Sequence, residues 1–464
     1  MSDTTRPDHP DCPDRSAVWP AVLALAALVA ALAATVTGGG TLGDRGGLYG
    51  WYALDAALFA LAVLLLRRVP PGAVPALVLA GSVAVAAAGL LAPPRTSDDA
   101  YRYLWDGRVQ AAGHSPYAYA PDAPELAGLR ARAPELFPPG GDCAGWDERR
   151  TSAGGCSKVN RPAVHTIYPP VAEGWFAGLY ALGGRYGVRA AQAGGALLAV
   201  ATTGALLLTL RRFGAGPARR AALWGWCPGV AVWAVNDAHV DTLGALLMVA
   251  GLAGAARGRR VIGGALLGLS VATKLVPALA LPGALSGVFA RRPRVGDLVL
   301  PAAALAAAAL AYLPYVVASG PGVLGYLPGY LKEEGYQQDG FARFGLVRLV
   351  VPDQLAPVAG GLVILAVVGW VLFRGDPGRP WSGALSVTGA ALLVVAPAYP
   401  WYGLLVVALV ALDGRWEWLA VPAAAQVLYL AGAQAQQPAY GAALLAVLAG
   451  AAARRRARVG PVTE

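Results

Sequence analysis

The segment Ser97-Asp98-Asp99-Ala100-Tyr101-Arg102-Tyr103-Leu104-Trp105-Asp106 gathers carboxylates and aromatic rings into ten positions. Asp99, Tyr103 and Asp106 fall at i, i+4 and i+7, one face of a helix, and Ser97 is a suitable N-cap. A carboxylate beside an aromatic ring suits a sugar hydroxyl, and an ionised carboxylate can take a proton from an acceptor hydroxyl. Farther along, His239 and Asp241 stand in Asn-Asp-Ala-His-Val-Asp (236–241), Lys274 in Thr-Lys-Leu-Val-Pro (273–277), and Trp401-Tyr402 behind Pro400. Lys274, with His239 or loop arginines, supplies fixed positive charge for a departing phosphate. These are parts for handling an anionic lipid head group and a polyol. Each also has a plainer use. The helix could lie on a membrane with aromatic anchors, the histidine could be solvated or capping, the lysine could snorkel, and the Trp-Tyr pair could join an aromatic belt.

The elements that must position these residues are membrane helices. Of 464 residues, 56% are hydrophobic and only 14% charged, against about 25% charged in a soluble domain. That excludes a disordered chain, a fibrous chain and an ordinary soluble enzyme. Apolar runs of bilayer-spanning length recur, and they do not alternate as barrel strands would. The expected fold is all-α, a polytopic transmembrane helical bundle of about 14 helices. The net charge of +10 comes from arginine clusters set between apolar runs, which reads as topology rather than nucleic-acid binding.

Placing those clusters in the cytoplasm leaves the intervals 221–256, 261–290, 380–414 and 416–453, each suited to a hairpin of two short spans. Every interval has a polar or proline-broken middle: 236–241, Thr273-Lys274, 397–403 and 433–438. All four tips are expected outside. Of the 37 Lys and Arg, 21 fall on the assigned inner segments, and 11 of the other 16 lie in one long outer loop, where charge matters little. The organisation expected is a cytoplasmic tail (1–16), three transmembrane helices (17–93), an extracytoplasmic loop with juxtamembrane helices (94–187), a transmembrane bundle (188–453) and a basic cytoplasmic tail (454–464). The stretch 167–184 is read as a helix along the outer surface, because a span there would put Arg211–Arg220 outside. A transporter or lipid flippase is the rival reading. It would show inverted repeats and ionisable groups at mid-membrane, whereas no repeat is evident and only Asp55 lies clearly within a span.

Cys12, Cys143, Cys156 and Cys227 lack metal-ligand spacing, so no metal is expected. Cys143 and Cys156 share the outer loop, 13 positions apart, and a disulfide is expected in an oxidising compartment.

Ser-Asp-Asp-Ala-Tyr-Arg-Tyr-Leu-Trp-Asp-Gly-Arg (97–108), followed by Gly113-His114-Ser115-Pro116-Tyr117, resembles the first outer loop of the GT-C superfamily of integral membrane glycosyltransferases. It most resembles the bacterial polyprenol-phosphate-mannose-dependent mannosyltransferases and their relatives in glycosyltransferase family 87. Tyr168-Pro169-Pro170, the 236–241 and 273–277 segments and Pro400-Trp401-Tyr402 are similar to later motifs of that group. The resemblance runs from Ser97 to Tyr402. It implies an inverting hexosyltransferase in the bacterial plasma membrane, with its site on the extracytoplasmic face. The donor would be a polyprenyl-phosphate sugar, mannose above others, and the acceptor a glycan or glycolipid, with no cofactor. Asp99 matches the general base, with Asp98 a near alternative, and Lys274 matches the residue that holds the lipid phosphate. Asp98, Tyr103, Tyr168, His239, Asp241, Trp401 and Tyr402 are expected around the substrate. The chain departs from the pattern in two places. Two helices, 17–37 and 49–66, precede the span into the motif loop, where a minimal member has one. The insert Phe137–Arg161 has no counterpart. The segment Tyr326–Arg343, with Lys332, Glu333, Glu334 and Asp339, is read either as a cover for the site or as a solvated loop.

Overall fold

The computed structural model describes residues 18–325, 327, 329 and 343–458. Their regular structure is helical, joined by turns and irregular loops, apart from a two-residue antiparallel strand pair, Arg149–Arg150 with Cys156–Ser157. The chain is all-α. Five helices are long and apolar enough to cross a membrane: Trp19–Gly38, Gly46–Arg68, Val188–Phe213, Val295–Leu324 and Asp353–Arg374. A sixth span results if the bent pair Val230–Asn236 and Asp241–Ala256 is counted as one. By length and composition these mark a membrane protein.

Fourteen spans come only from counting both halves of every interrupted interval. Arg260–Val271 has 12 residues, Pro380–Val395 has 16, Gly403–Asp413 has 11 and Ala420–Ala431 has 12. At 1.5 Å rise, 12 residues cover only about 18 Å of a roughly 30 Å hydrocarbon layer. The expected tips do coincide with helix breaks. Thr273-Lys274 follows Arg260–Val271, Pro400–Tyr402 is a 3-10 turn between two helices, and Ala433–Ala435 is another.

Local sequence explains several ends. Val188–Phe213 carries Arg211 and Arg212 in its last turn, where cations meet the negative helix end, and stops at Gly214 in the left-handed conformation (φ 56°). Val299–Ser319 approaches Arg260–Val271 so closely that a Cβ on Gly268 would stand 2.0 Å from the Ala304 carbonyl oxygen. Small residues at such crossings are what helix packing in a membrane requires. Leu305, Leu310, Leu362 and Leu365 on the long peripheral helices are exposed, as lipid-facing side chains are. The centre is Gly403–Asp413, in which every residue is buried.

The Asp99–Ala111 helix does not lie on a surface. Ala100 through Gly107 are all buried, and Gly107 meets the Phe176 backbone. Its N-cap position is held by Asp98 rather than Ser97, although Ser97 Oγ accepts the Asp99 N–H at 3.3 Å. Phe176 belongs to Pro170–Gly183, a 14-residue helix that stops short of spanning length and packs along the Asp99 helix. The helix Gln436–Arg458 runs into the expected basic tail 454–464, and Arg454 pairs with Glu417. The segment 1–16 and positions Lys332, Glu333, Glu334 and Asp339 lie outside the described residues.

Candidate active site

The break between Val230–Asn236 and Asp241–Ala256 organises the site. The two helices meet at 111°, and Ala238 turns the chain with φ 56°. A non-glycine residue in that region costs roughly 1–3 kcal/mol and persists only where surrounding contacts enforce it. Those contacts are dense. Asn236 Nδ2 faces the carbonyls of Gly89, Ala92 and Pro93 at 3.0 to 3.2 Å, and Asn236 Oδ1 accepts the Arg95 N–H at 3.1 Å. Asp237 Oδ1 accepts the N–H groups of Arg95, Thr96 and Ser97 at 3.1 to 3.2 Å, and its Oδ2 accepts the Thr96 hydroxyl. A buried carboxylate gathering three backbone donors fixes that backbone firmly. The next residues along it are Asp98 and Asp99.

His239 is 1% exposed and stacks on Trp401 at 3.8 Å between ring centroids. Its Nδ1 lies 3.4 Å from Asp99 Oδ2. Neither ring nitrogen makes a hydrogen bond among the described residues. At that separation the imidazole lies beside Asp99 without a well-formed hydrogen bond. Asp241, at the start of the second helix, accepts from Lys274 Nζ at 2.7 Å. The ammonium also sits 4.8 Å from the centre of the Tyr402 ring.

From the other side comes the insert. Asn160 Nδ2 donates to Asp99 Oδ1 at 2.6 Å and to Asp98 Oδ1 at 3.1 Å. Arg149 Nη2 donates to Asp98 Oδ2 at 2.8 Å. The two carboxyls respond differently. Burial and the neighbouring Asp99 charge push Asp98 up to about 6, against the lowering effect of Arg149 and Asn160. Burial would raise Asp99 too, but His239, Lys274 and Arg161 outweigh it and hold Asp99 below the usual carboxylate range.

Asp98 and Asp99 open onto a cavity of about 670 Å3. Arg149, Arg150, Asn160 and Arg161 line it from the insert, and Lys274 from the turn after Arg260–Val271. Tyr168, Tyr399, Trp401, Tyr402 and Tyr429 form aromatic wall, with Tyr399 stacked on Trp401 at 4.7 Å. Leu42, Leu275, Val276 and Leu327 add apolar surface.

Six of the residues expected around the substrate therefore line one cavity: Asp98, Asp99, Tyr168, Lys274, Trp401 and Tyr402. Three do not. Tyr103 is buried behind the cavity, stacked on Phe176 at 4.2 Å. His239 backs Asp99, and Asp241 backs Lys274. Asp106 shares a helix face with Asp99 but turns to Arg102, 2.9 Å away and equally buried. Asn160, Tyr399 and Tyr429 were not anticipated, and Arg149 and Arg161 only as unspecified loop arginines. The signal available for the two arginines was their position in or beside the loop closed by Cys143 and Cys156, which the structure joins in a disulfide with Cα atoms 5.3 Å apart. Among the described residues no cluster of three or more His, Cys, Asp or Glu side chains is placed to hold a metal ion. No family model matches the chain, and searches of curated proteins and of solved structures return no significant match.

Proposed function

We propose that this protein is an integral membrane glycosyltransferase of GT-C type. It moves a sugar, mannose above others, from a polyprenyl-phosphate donor to a glycan or glycolipid acceptor at the extracytoplasmic face of a bacterial plasma membrane. The observation that carries the reading is the convergence of a carboxylate, Asp99, and a cation, Lys274, on one aromatic-walled cavity. The resemblance of residues 97–117 to the first outer loop of that superfamily supports the same reading.

In this mechanism Asp99 takes the proton from the acceptor hydroxyl. That oxygen attacks the anomeric carbon on the face opposite the phosphate, the bond from that carbon to the phosphate oxygen breaks, and the configuration inverts. Lys274 and Arg161 balance the charge gathering on the departing phosphate. One of the three ammonium donors of Lys274 faces Asp241, which leaves two for the phosphate. Trp401, Tyr402 and Tyr168 hold the sugar ring, and the apolar wall meets the first isoprene units. The cations around Asp99 make it a weak base. An entering phosphate partly neutralises those cations and raises the basicity of Asp99, so the base becomes competent when donor is present.

The test is sugar transfer by the purified protein from radiolabelled polyprenyl-phosphate mannose to extracted envelope glycans. Label moving into glycan supports the reading. Donor crossing a vesicle membrane intact, with no label in glycan, favours a flippase and overturns it.

A further inference from the structure

The insert 137–161 is closed on itself and points at the site. Cys143 and Cys156 join its two limbs, and Arg149–Arg150 pairs with Cys156–Ser157 between them. Both limbs reach Asp98, through Arg149 and Asn160, and Asn160 reaches Asp99 as well. Asn160 itself is fixed from three directions. Val159 before it is fully buried against Trp105 and Leu136. Its own carbonyl accepts from Arg102, whose Nε is paired with Asp106. Its side chain lies between two carboxylates that only accept, so the amide nitrogen must face them.

We infer that Asn160 is a positioning residue for the reaction: carried by the disulfide-closed insert, it fixes the Asp98–Asp99 pair in one geometry and sets the proton affinity of the base. The inference rests on the transferase reading and gives the insert a part in it. An amide that donates to both carboxylates favours their ionised forms, and it aims the free lone pairs of Asp99 into the cavity without itself taking a proton. The other charged or titratable groups facing the pair include Arg149 and Arg161 from the insert, His239 from the helix break, Lys274 from its turn, Tyr101 and Tyr103 from their own helix, and Tyr168 and Tyr429 from the aromatic wall. Asn160 touches both carboxylates with a neutral donor.

The test is the pH profile of donor-dependent transfer in Asn160→Ala. Loss of the amide raises the carboxyl pKa values, so the acidic limb of kcat should move up by about one unit. At the pH optimum kcat should fall roughly tenfold or more, while KM for the donor stays within about twofold because the phosphate cations remain. A profile superimposed on the wild type, or a change confined to KM, overturns the inference. Should Asn160→Ala fail to accumulate, Asn160→Ser replaces it, since its hydroxyl is too short to reach both carboxylates. The same limb then moves upward, and an unmoved limb overturns the inference. Wild-type protein that transfers no sugar overturns the transferase reading as well, whereas a transferring wild type with an unaltered variant profile overturns only the role of Asn160.

Discussion

His239 Nδ1 stands 3.4 Å from Asp99 Oδ2, although 140 positions of chain separate the two residues. The contact exists because Asn236 and Asp237, just before His239, hold the backbone that leads into Asp99. One short segment thus sets where Asp99 stands, what lies behind it and, through Asp241, where the lysine points.

Asn236→Ala removes side-chain donors to three carbonyls and the acceptor for Arg95 N–H. Arg95 N–H keeps Asp237 and the Ala92 carbonyl keeps Gln192, so the cost comes from the remaining groups and is about 1–3 kcal/mol. Thermal unfolding in detergent should show a lowered melting temperature, with transfer falling alongside it. An unchanged melting temperature would mean that these bonds do not anchor the 89–97 segment.

Lys274→Ala should weaken donor binding and also destabilise the fold, since Asp241 is left buried without its cation. Breaking a buried pair on one side costs up to about 3–5 kcal/mol. Adding Asp241→Asn to Lys274→Ala should recover much of the melting temperature without recovering donor affinity. Recovery of both would show that Lys274 serves the fold and not the phosphate.

Asp98 gives a stability signature with a definite sign. Its carboxyl is raised to about 6 in the folded chain, against about 3.9 unfolded. Between those values the folded state holds more protons than the unfolded state, so this group makes stability fall as pH rises. Asp98→Asn abolishes that term. The melting temperature of the variant minus that of the wild type should therefore climb from about pH 4 to 6 and level off above. A flat difference across that window would contradict the raised carboxyl.

Alkylation without reductant, followed by peptide mass mapping, should leave Cys143 and Cys156 unmodified. Replacing both should cost about 3 kcal/mol at most, as expected for closing a loop of this length. Two alkyl groups on the insert would refute the bond.

The sequence made some of this legible and hid the rest for physical reasons. Arginine clusters and broken apolar runs marked where the chain turns, and the turns at Lys274 and Trp401 do meet at one cavity. Helix length was harder to read, because proline and glycine near each break shorten helices such as Arg260–Val271 below the length that an apolar run suggests. Asp99 and Lys274 could be picked out by residue type. The burial of His239 and the pairing of Asp241 with Lys274 depend on a 111° bend that no periodicity encodes. Asn160 could not be singled out, since an asparagine in a polar loop carries no signal until the fold brings it between two carboxylates.

The central claim is that Asp99 is the general base. Initial rates of transfer from labelled polyprenyl-phosphate mannose, measured for Asp99→Asn, Asp98→Asn and wild-type protein of matched melting temperature and donor affinity, test it most directly. Asp99→Asn keeps the side-chain shape and should cut the rate about 10²–10⁴-fold, while Asp98→Asn, whose carboxylate is already engaged by Arg149 and Asn160, should be milder. Near-normal transfer by Asp99→Asn with loss in Asp98→Asn would move the base to Asp98, and near-normal transfer by both would contradict the account.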